Sequence, residues 1–221
     1  MDVPMPAAPP SSADDLAPAV PPSRRAAAPS FAIRRMHPPE HAVIADHLKR
    51  LDPETRRLRF GNPVNDAFLE RYAALALGED AVVSGCFIRG TMRGVAELRF
   101  LDDGRREAEG AFSLEPDFQG FGLGAALFGR TIALARNRGV RRLYLTCLSE
   151  NRRMQRIARR HGAELSFVEG DVTADIRRPY ADAGSLAEEG RGDAFVVARL
   201  EWRQRFGALG VSVRRLARGG V

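Results

Sequence analysis

Apolar and polar positions follow two rhythms along this chain, and the switches between them mark out its elements. Residues 1–30 carry neither rhythm: Pro, Ala and Ser dominate, and a disordered or extended leader is expected there. The folded part should begin near Phe31, with the short strand Phe31-Ala32-Ile33-Arg34. Pro38 and Pro39 suit the first turn of a helix running to about Leu51. Asp52-Pro53-Glu54-Thr55 offers an N-cap and a proline at the first position of a second helix. A third helix, 65–77, stops at Gly78. Strands follow at 81–89, 95–101 and 107–114. Arg93-Gly94 reads as the turn end of the second of these, and Asp102-Asp103-Gly104 as the hairpin before the third. Glu115-Pro116-Asp117 breaks the pattern. A glycine-rich loop then opens a helix at 122–137, with Gly139 beyond its end. Residues 142–148 read as a buried strand. Residues 151–160 read as a helix, with Met154, Ile157, Ala158 and His161 on one face. Strands at 164–168 and 172–177 complete the series.

The order is therefore β, α, α, α, β, β, β, loop, α, β, α, β, β. Strands outnumber those of a simple alternating chain, so the fold class is α/β with a mixed sheet. The strand-loop-helix-strand unit at 107–148 is the one clear crossover, and its two strands should run parallel. Three regions are expected: the leader 1–30, a domain at 31–180, and a C-terminal extension at 181–221. Within the extension, 181–192 look flexible, 194–206 suit a helix or strand, and 214–221 form an arginine-rich end.

Composition narrows the function classes. The 221 residues are 44% hydrophobic, enough for one core plus tails. No uninterrupted apolar run approaches membrane length, so no membrane partner is expected. Met-Asp-Val-Pro-Met-Pro has neither a basic n-region nor an apolar h-region, so it does not read as a secretory signal. Cys86 and Cys147 lie far apart, outside any metal-like spacing. They read as buried thiols of a cytoplasmic protein, and no metal is expected. The net charge is +6 and almost all arginine, Lys49 being the only lysine. Ten of the arginines crowd 130–160, most on what should be a solvated face. Nucleic acid is not the expected partner, because no recognition module or stripe of stacking aromatics accompanies the charge.

The chemistry concentrates in Gln119-Gly120-Phe121-Gly122-Leu123-Gly124, directly before Ala125-Ala126-Leu127-Phe128. Glycines let an anion reach the main-chain amides, and a helix start supplies unpaired N–H donors. Three occupants compete. A bare structural turn needs fewer glycines. A dinucleotide fits the spacing of Gly120, Gly122 and Ala125 but lacks an acidic residue at the end of the next strand, Leu145-Thr146-Cys147-Leu148. The third is coenzyme A. Here Gln119 to Gly124 resemble the Q/R-x-x-G-x-G/A loop of the GNAT superfamily of N-acetyltransferases. Leu51-Asp52-Pro53-Glu54-Thr55-Arg56 and Leu58-Arg59-Phe60 resemble the early helix of bacterial Pat-type protein lysine acetyltransferases. Leu148-Ser149-Glu150-Asn151-Arg152-Arg153-Met154 resemble their final strand-to-helix junction. The similarity covers about 31–178.

The resemblance implies a mostly antiparallel sheet in which one parallel strand pair splays, with the pantetheine arm in the gap. It implies acetyl-CoA as cosubstrate, with main-chain groups of Ser113 and Leu114, and Glu115 as a further candidate, pairing with the arm. The amides of Gln119, Gly120, Phe121, Gly122, Leu123 and Gly124 would take the pyrophosphate. Asn151 would reach the pantetheine or cap its helix, and Arg130 and Arg153 are candidates for the 3′-phosphate. Glu109, about ten residues before the loop glutamine, takes the place of the presumed general base, with Glu97 and Glu107 in reserve. A backbone amide near Leu114 would stabilise the oxyanion. The tyrosine acid of many members is replaced by Ala158. The four histidines, His47 among them, show no partner by spacing. The expected activity is transfer of an acetyl group to a primary amine, a protein lysine ahead of a small amine. The alternative from another class is a non-catalytic acyl-CoA-sensing module. A monomer and a homodimer remain equally open.

Overall fold

The computed structural model describes residues 29–177, 181, 183–187 and 189–190. Residues 1–28 of the expected leader and the segments at 194–206 and 214–221 lie outside the described residues. Seven strands build one sheet in the order β1-β2-β3-β4-β5-β7-β6. They are β1 (Ala32–Arg35), β2 (Ala81–Ile88), β3 (Thr91–Phe100), β4 (Glu107–Leu114), β5 (Arg142–Leu148), β6 (Glu164–Val168) and β7 (Asp171–Arg177). Every neighbouring pair is antiparallel except β4 and β5, which run parallel. The helices are α1 (His41–Lys49), α2 (Pro53–Phe60), α3 (Asp66–Leu75), α4 (Leu123–Asn137) and α5 (Arg152–Arg160).

Local chemistry places the helix starts where the sequence marks them. The Asp52 carboxylate accepts the Thr55 N–H at 2.7 Å, and Asn65 Oδ1 accepts the Phe68 N–H at 2.9 Å. Pro38–Glu40 form a separate 3-10 turn before α1, tied by the Glu40 carboxylate to the His37 amide and to Arg34. The β2–β3 turn falls at Arg89-Gly90, both left-handed with φ of 50° and 82°, and not at Arg93-Gly94. Gly94 instead sits inside β3, where a Cβ would meet Leu114 Cδ1 at 2.8 Å. Its glycine serves a close approach between strands, a role that looks the same as a turn in sequence.

Strand alternation assigns the two faces. Val83 and Val95 pack with Met36, Ile44, Leu48 and Leu69 under α1 and α3. Leu98, Ala108 and Leu143 pack with Phe128, Ile132 and Leu134 of α4. Burying Phe128 or Leu134 from water stabilises the fold by about 1.5–3 kcal/mol apiece. From Gly94 onward, odd positions of β3 and of β4 thus face α1–α3 and even positions face α4, whereas Met92, next to the register shift at Cys86/Phe87, packs on the α1–α3 side. Residues 183–187, expected to be flexible, are helical and dock on the end of α4. Ser185 Oγ donates to Asn137 Oδ1 at 2.6 Å, and Glu189 accepts from Arg138 at 2.8 Å. Few apolar residues carry that contact, so periodicity did not reveal it.

Candidate active site

The parallel pair β4–β5 is joined only through Glu107↔Arg142, Ala108↔Leu143 and Glu109↔Tyr144. Beyond those pairs the strands part, although β4 continues to Leu114 and β5 to Leu148. A cleft of about 440 Å³ opens past the divergence. Its walls include Phe112, Ser113 and Leu114 of β4, Thr55, Leu58 and Arg59 of α2, Gly124 and Leu127 of α4, and Asn151 to Met154 at the start of α5.

Parity of the ladder decides which β4 main-chain groups look into the gap. The Glu115 N–H bonds to the Arg93 carbonyl at 2.9 Å, and the Leu101 N–H to the Glu107 carbonyl at 2.9 Å. Odd residues therefore spend their peptide groups on β3. The groups turned towards the parted β5 belong to Gly110, Phe112 and Leu114. Leu114 is where the resemblance puts it. The peptide groups of Ser113 and Glu115, also expected there, are directed at β3 instead. The Leu114 carbonyl accepts from Gln119 Nε2 at 2.9 Å, so among the described residues its N–H is the free member.

The glycine loop closes one end of the cleft. Gly120 and Gly122 hold φ of 89° and 86°, and a Cβ on either would meet nothing within 4 Å. That is an open cradle of the kind an anion needs. Gly122 is the N-cap of α4, and the first-turn amides of Leu123, Gly124 and Ala125 precede any i−4 acceptor. The Gln119 N–H is committed to the Pro116 carbonyl at 3.0 Å, so its amide does not face the site as expected, and its side chain binds the Leu114 carbonyl. At Gly124 a Cβ would stand 3.2 Å from Ile157 Cδ1, which keeps α4 and α5 close. Arg152, Arg153 and Arg156 of α5 line the same cleft. Arg130 does not: it is buried, with Nη2 towards the Glu189 carbonyl at 3.5 Å. The residues present fit a diphosphate at the loop and an amide-bearing arm along β4.

A second, smaller pocket of about 150 Å³ shares Leu58, Arg59, Phe112, Asn151 and Met154 with the cleft. Glu97, Arg99, Glu109 and Tyr72 also line it. Glu97 is buried and engaged: Arg59 donates to it at 2.7 Å, and the Tyr72 hydroxyl lies 2.7 Å from each of its oxygens. Burial and the Glu97 charge, against the opposing pull of Arg59, push the Tyr72 phenol up to about 12. Glu107 is drawn to Arg142 at 3.5 Å and Tyr144 at 3.3 Å. Glu109 borders the pocket between Arg99 on β3 and Tyr144 on β5, and among the described residues no hydrogen bond engages its carboxylate. Asn151 caps α5, its Oδ1 accepting the Met154 N–H at 3.1 Å, and borders both spaces.

His47, for which spacing offered no partner, has two. It is fully buried on α1, with Nδ1 3.2 Å from Glu115 Oε1 and Nε2 3.0 Å from Ser113 Oγ. Arg50 Nε and Arg93 Nη1 also donate to Glu115, at 2.9 and 2.8 Å. Burial would raise the Glu115 carboxyl, but hydrogen bonds from His47, Arg93 and Arg50 outweigh it and hold it at about 2. Burial holds the His47 imidazole below its ordinary range, and the Arg50 and Arg93 charges reinforce this against the pull of Glu115. Cys86 and Cys147 are buried free thiols, and burial pushes Cys86 up to about 11. Among the described residues no cluster of His, Cys, Asp and Glu could hold a metal, and no helix is long and apolar enough to cross a membrane.

A mixed sheet parted at one parallel pair, with a glycine-capped helix at the mouth of the gap, defines an acyltransferase-like α/β protein. The family model described as "Acetyltransferase (GNAT) family" matches residues 46–163, and the chain belongs to that family. The GNAT domain of PAT from S. lividans superposes with a TM-score of 0.58 at 22% identity, over 66% of this chain and 89% of that one. An acetyltransferase of the GNAT family from Streptococcus pneumoniae gives 0.55 at 18% identity, over 67% and 100%. The protein yncA from Salmonella typhimurium, solved with its cofactor acetyl-CoA, gives 0.52 at 21%, over 69% and 98%. At these identities the likeness is one of fold. No curated protein matches the chain.

Proposed function

We propose that this protein transfers an acetyl group from acetyl-CoA to a primary amine, a lysine side chain of a protein, with Glu109 as general base. The observation that carries the reading is the parting of β4 from β5 beyond Glu109, which leaves the Leu114 N–H free beside a cleft that ends in the glycine loop. The presence of acetyl-CoA in the similarly folded Salmonella protein supports the choice of donor. The loop amides from Gly120 to Ala125 hold the diphosphate, and the Leu114 N–H donates to the thioester carbonyl as charge builds on its oxygen. Glu109 takes the proton that frees the amine lone pair. Glu97 is the weaker candidate, because Arg59 donates to one of its oxygens and Tyr72 to the other.

The acceptor pocket supports a protein lysine. At about 150 Å³ and lined by Glu97, Glu109 and Thr146, it admits an ammonium and part of its stem, while the rest of the acceptor lies outside. Thiol release from acetyl-CoA, followed with lysine-bearing proteins and with a panel of small amines, tests this. Turnover with proteins and none with polyamines or aminoglycosides is expected. Turnover confined to small amines would reverse the acceptor. Binding of acetyl-CoA with no transfer to any amine would leave a sensing module in place of an enzyme.

A further inference from the structure

Ser113, His47 and Glu115 form a hydrogen-bonded chain in which only one proton arrangement suits a neutral imidazole. The Glu115 carboxylate receives Arg50 and Arg93 and stays ionised, so it can only accept. Its contact with His47 therefore requires a proton on Nδ1. A neutral imidazole then has a bare Nε2, and the Ser113 hydroxyl must donate to it across 3.0 Å. This is the relation of nucleophile, base and orienter in serine acyl transfer. Its place is equally specific: Ser113 lines the 440 Å³ cleft, and the next residue supplies the Leu114 N–H turned into the gap. An amide following the nucleophile is a common oxyanion donor.

We infer that Ser113, backed by His47 and Glu115, hydrolyses the bound acyl-CoA thioester when no amine is in place. The inference rests on the acyl-CoA reading of the cleft. Ser113 Oγ attacks the thioester carbonyl as its proton passes to His47 Nε2. The C–S bond breaks, CoA leaves as the thiolate, and His47 returns the proton to sulfur. Water then attacks the seryl ester, giving its proton to His47. The free acid leaves, and the proton returns to Ser113. No oxidant, reductant or metal enters the balance. The arginines that keep Glu115 ionised also make an imidazolium costly, so the hydrolysis is slower than transfer to a good amine.

The test follows thiol release from acetyl-CoA without any amine, beside calorimetry of acetyl-CoA binding. Wild type should release thiol catalytically. A positioned base contributes on the order of 10²–10⁴ in rate, so Ser113→Ala should lose about 10² or more of the release. Ser113→Cys should accumulate an acyl-enzyme one acetyl group heavier by intact mass, with the added group on the peptide that spans position 113. Release that survives Ser113→Ala and falls with Glu109→Gln is direct attack by water and overturns the inference. So does tight binding with neither release from wild type nor an acylated peptide from Ser113→Cys. If acetyl-CoA gives no heat at all, the cleft assignment itself fails.

Discussion

Placing alanine at Gly122 separates what the loop does for the fold from what it does for the cosubstrate. Gly122 has φ 86° and ψ −4°, a left-handed conformation that costs an ordinary residue about 1–2 kcal/mol. Space is not an issue, because a Cβ there meets no atom within 4 Å. For a domain of this size about 1 kcal/mol corresponds to roughly 2–4 °C, so Gly122→Ala should lower Tm by about 2–8 °C. The strain exists in free and bound protein alike and cancels from Kd. Any loss of affinity must then come from the methyl crowding the anion or turning an amide away. Losing one charge-assisted hydrogen bond costs about 1.5–3 kcal/mol, or roughly 10- to 100-fold in Kd. Gly139 is the matched control: φ is 77°, nothing lies within 4 Å, and it sits past the far end of α4. Gly139→Ala should cost similar stability and leave Kd unchanged. Scanning calorimetry gives Tm, and titration calorimetry with acetyl-CoA gives Kd. Equal Kd values for the two variants would refute the phosphate role of the loop.

Further outcomes follow from neighbouring contacts. Glu109→Gln should keep acetyl-CoA affinity and lose about 10²–10⁴ in transfer rate, measured by thiol release with a saturating amine; unchanged turnover would remove Glu109 as base. Arg59→Met should remove the nearer cation from buried Glu97, leaving Tyr72 and Arg99 at 3.8 Å, and cost up to about 3–5 kcal/mol in urea unfolding; a cost below about 1 kcal/mol would mean that Arg99 or water takes over the charge. The acid limb of stability should have two stages. His47 is held below its ordinary 6.5 and Glu115 falls from 4.5 to about 2, so both groups add stability that is lost as pH falls. The first loss begins below about pH 6.5 and the second develops between pH 4.5 and 2. His47→Gln should remove the first stage, and urea midpoints against pH would show it.

Much of the fold was legible because local signals and periodicity agreed. Asp52-Pro53 and Asn65 announce their helices through caps that work within three residues. The alternation 107–114 named the strand whose odd positions carry Glu109 and Ser113. Errors arose where one residue type serves two ends. Gly94 reads as a turn, yet it lies inside β3 for the sake of Leu114 packed against it, while Arg89 accepted a left-handed conformation that its identity does not advertise. The sharp turns of the glycine loop were legible because their conformational needs are local. Its division of labour was not: whether Gln119 offers its amide or its side chain depends on the 3-10 turn at Pro116–Phe118, which captures the amide first.

The His47 cluster marks the boundary of what alternation can say. Strand parity put the Ser113 side chain on the α1 face and its peptide groups against β3, and both follow from one register. Nothing in that register says which residue of a helix 66 positions earlier will cover the hydroxyl. Only packing decides, as Ile44 and Leu48 bury beside Val95 and carry His47 to the end of β4. The arrangement also explains an otherwise costly choice. A fully buried imidazole, a buried carboxylate and two arginines would be replaced at little loss by apolar residues if they served packing alone. Here they hold a single tautomer against the hydroxyl that borders the cleft. Ser113→Cys therefore weighs most, because a buried hydroxyl kept for structure would give a silent thiol, whereas a nucleophile's position would give an acylated one.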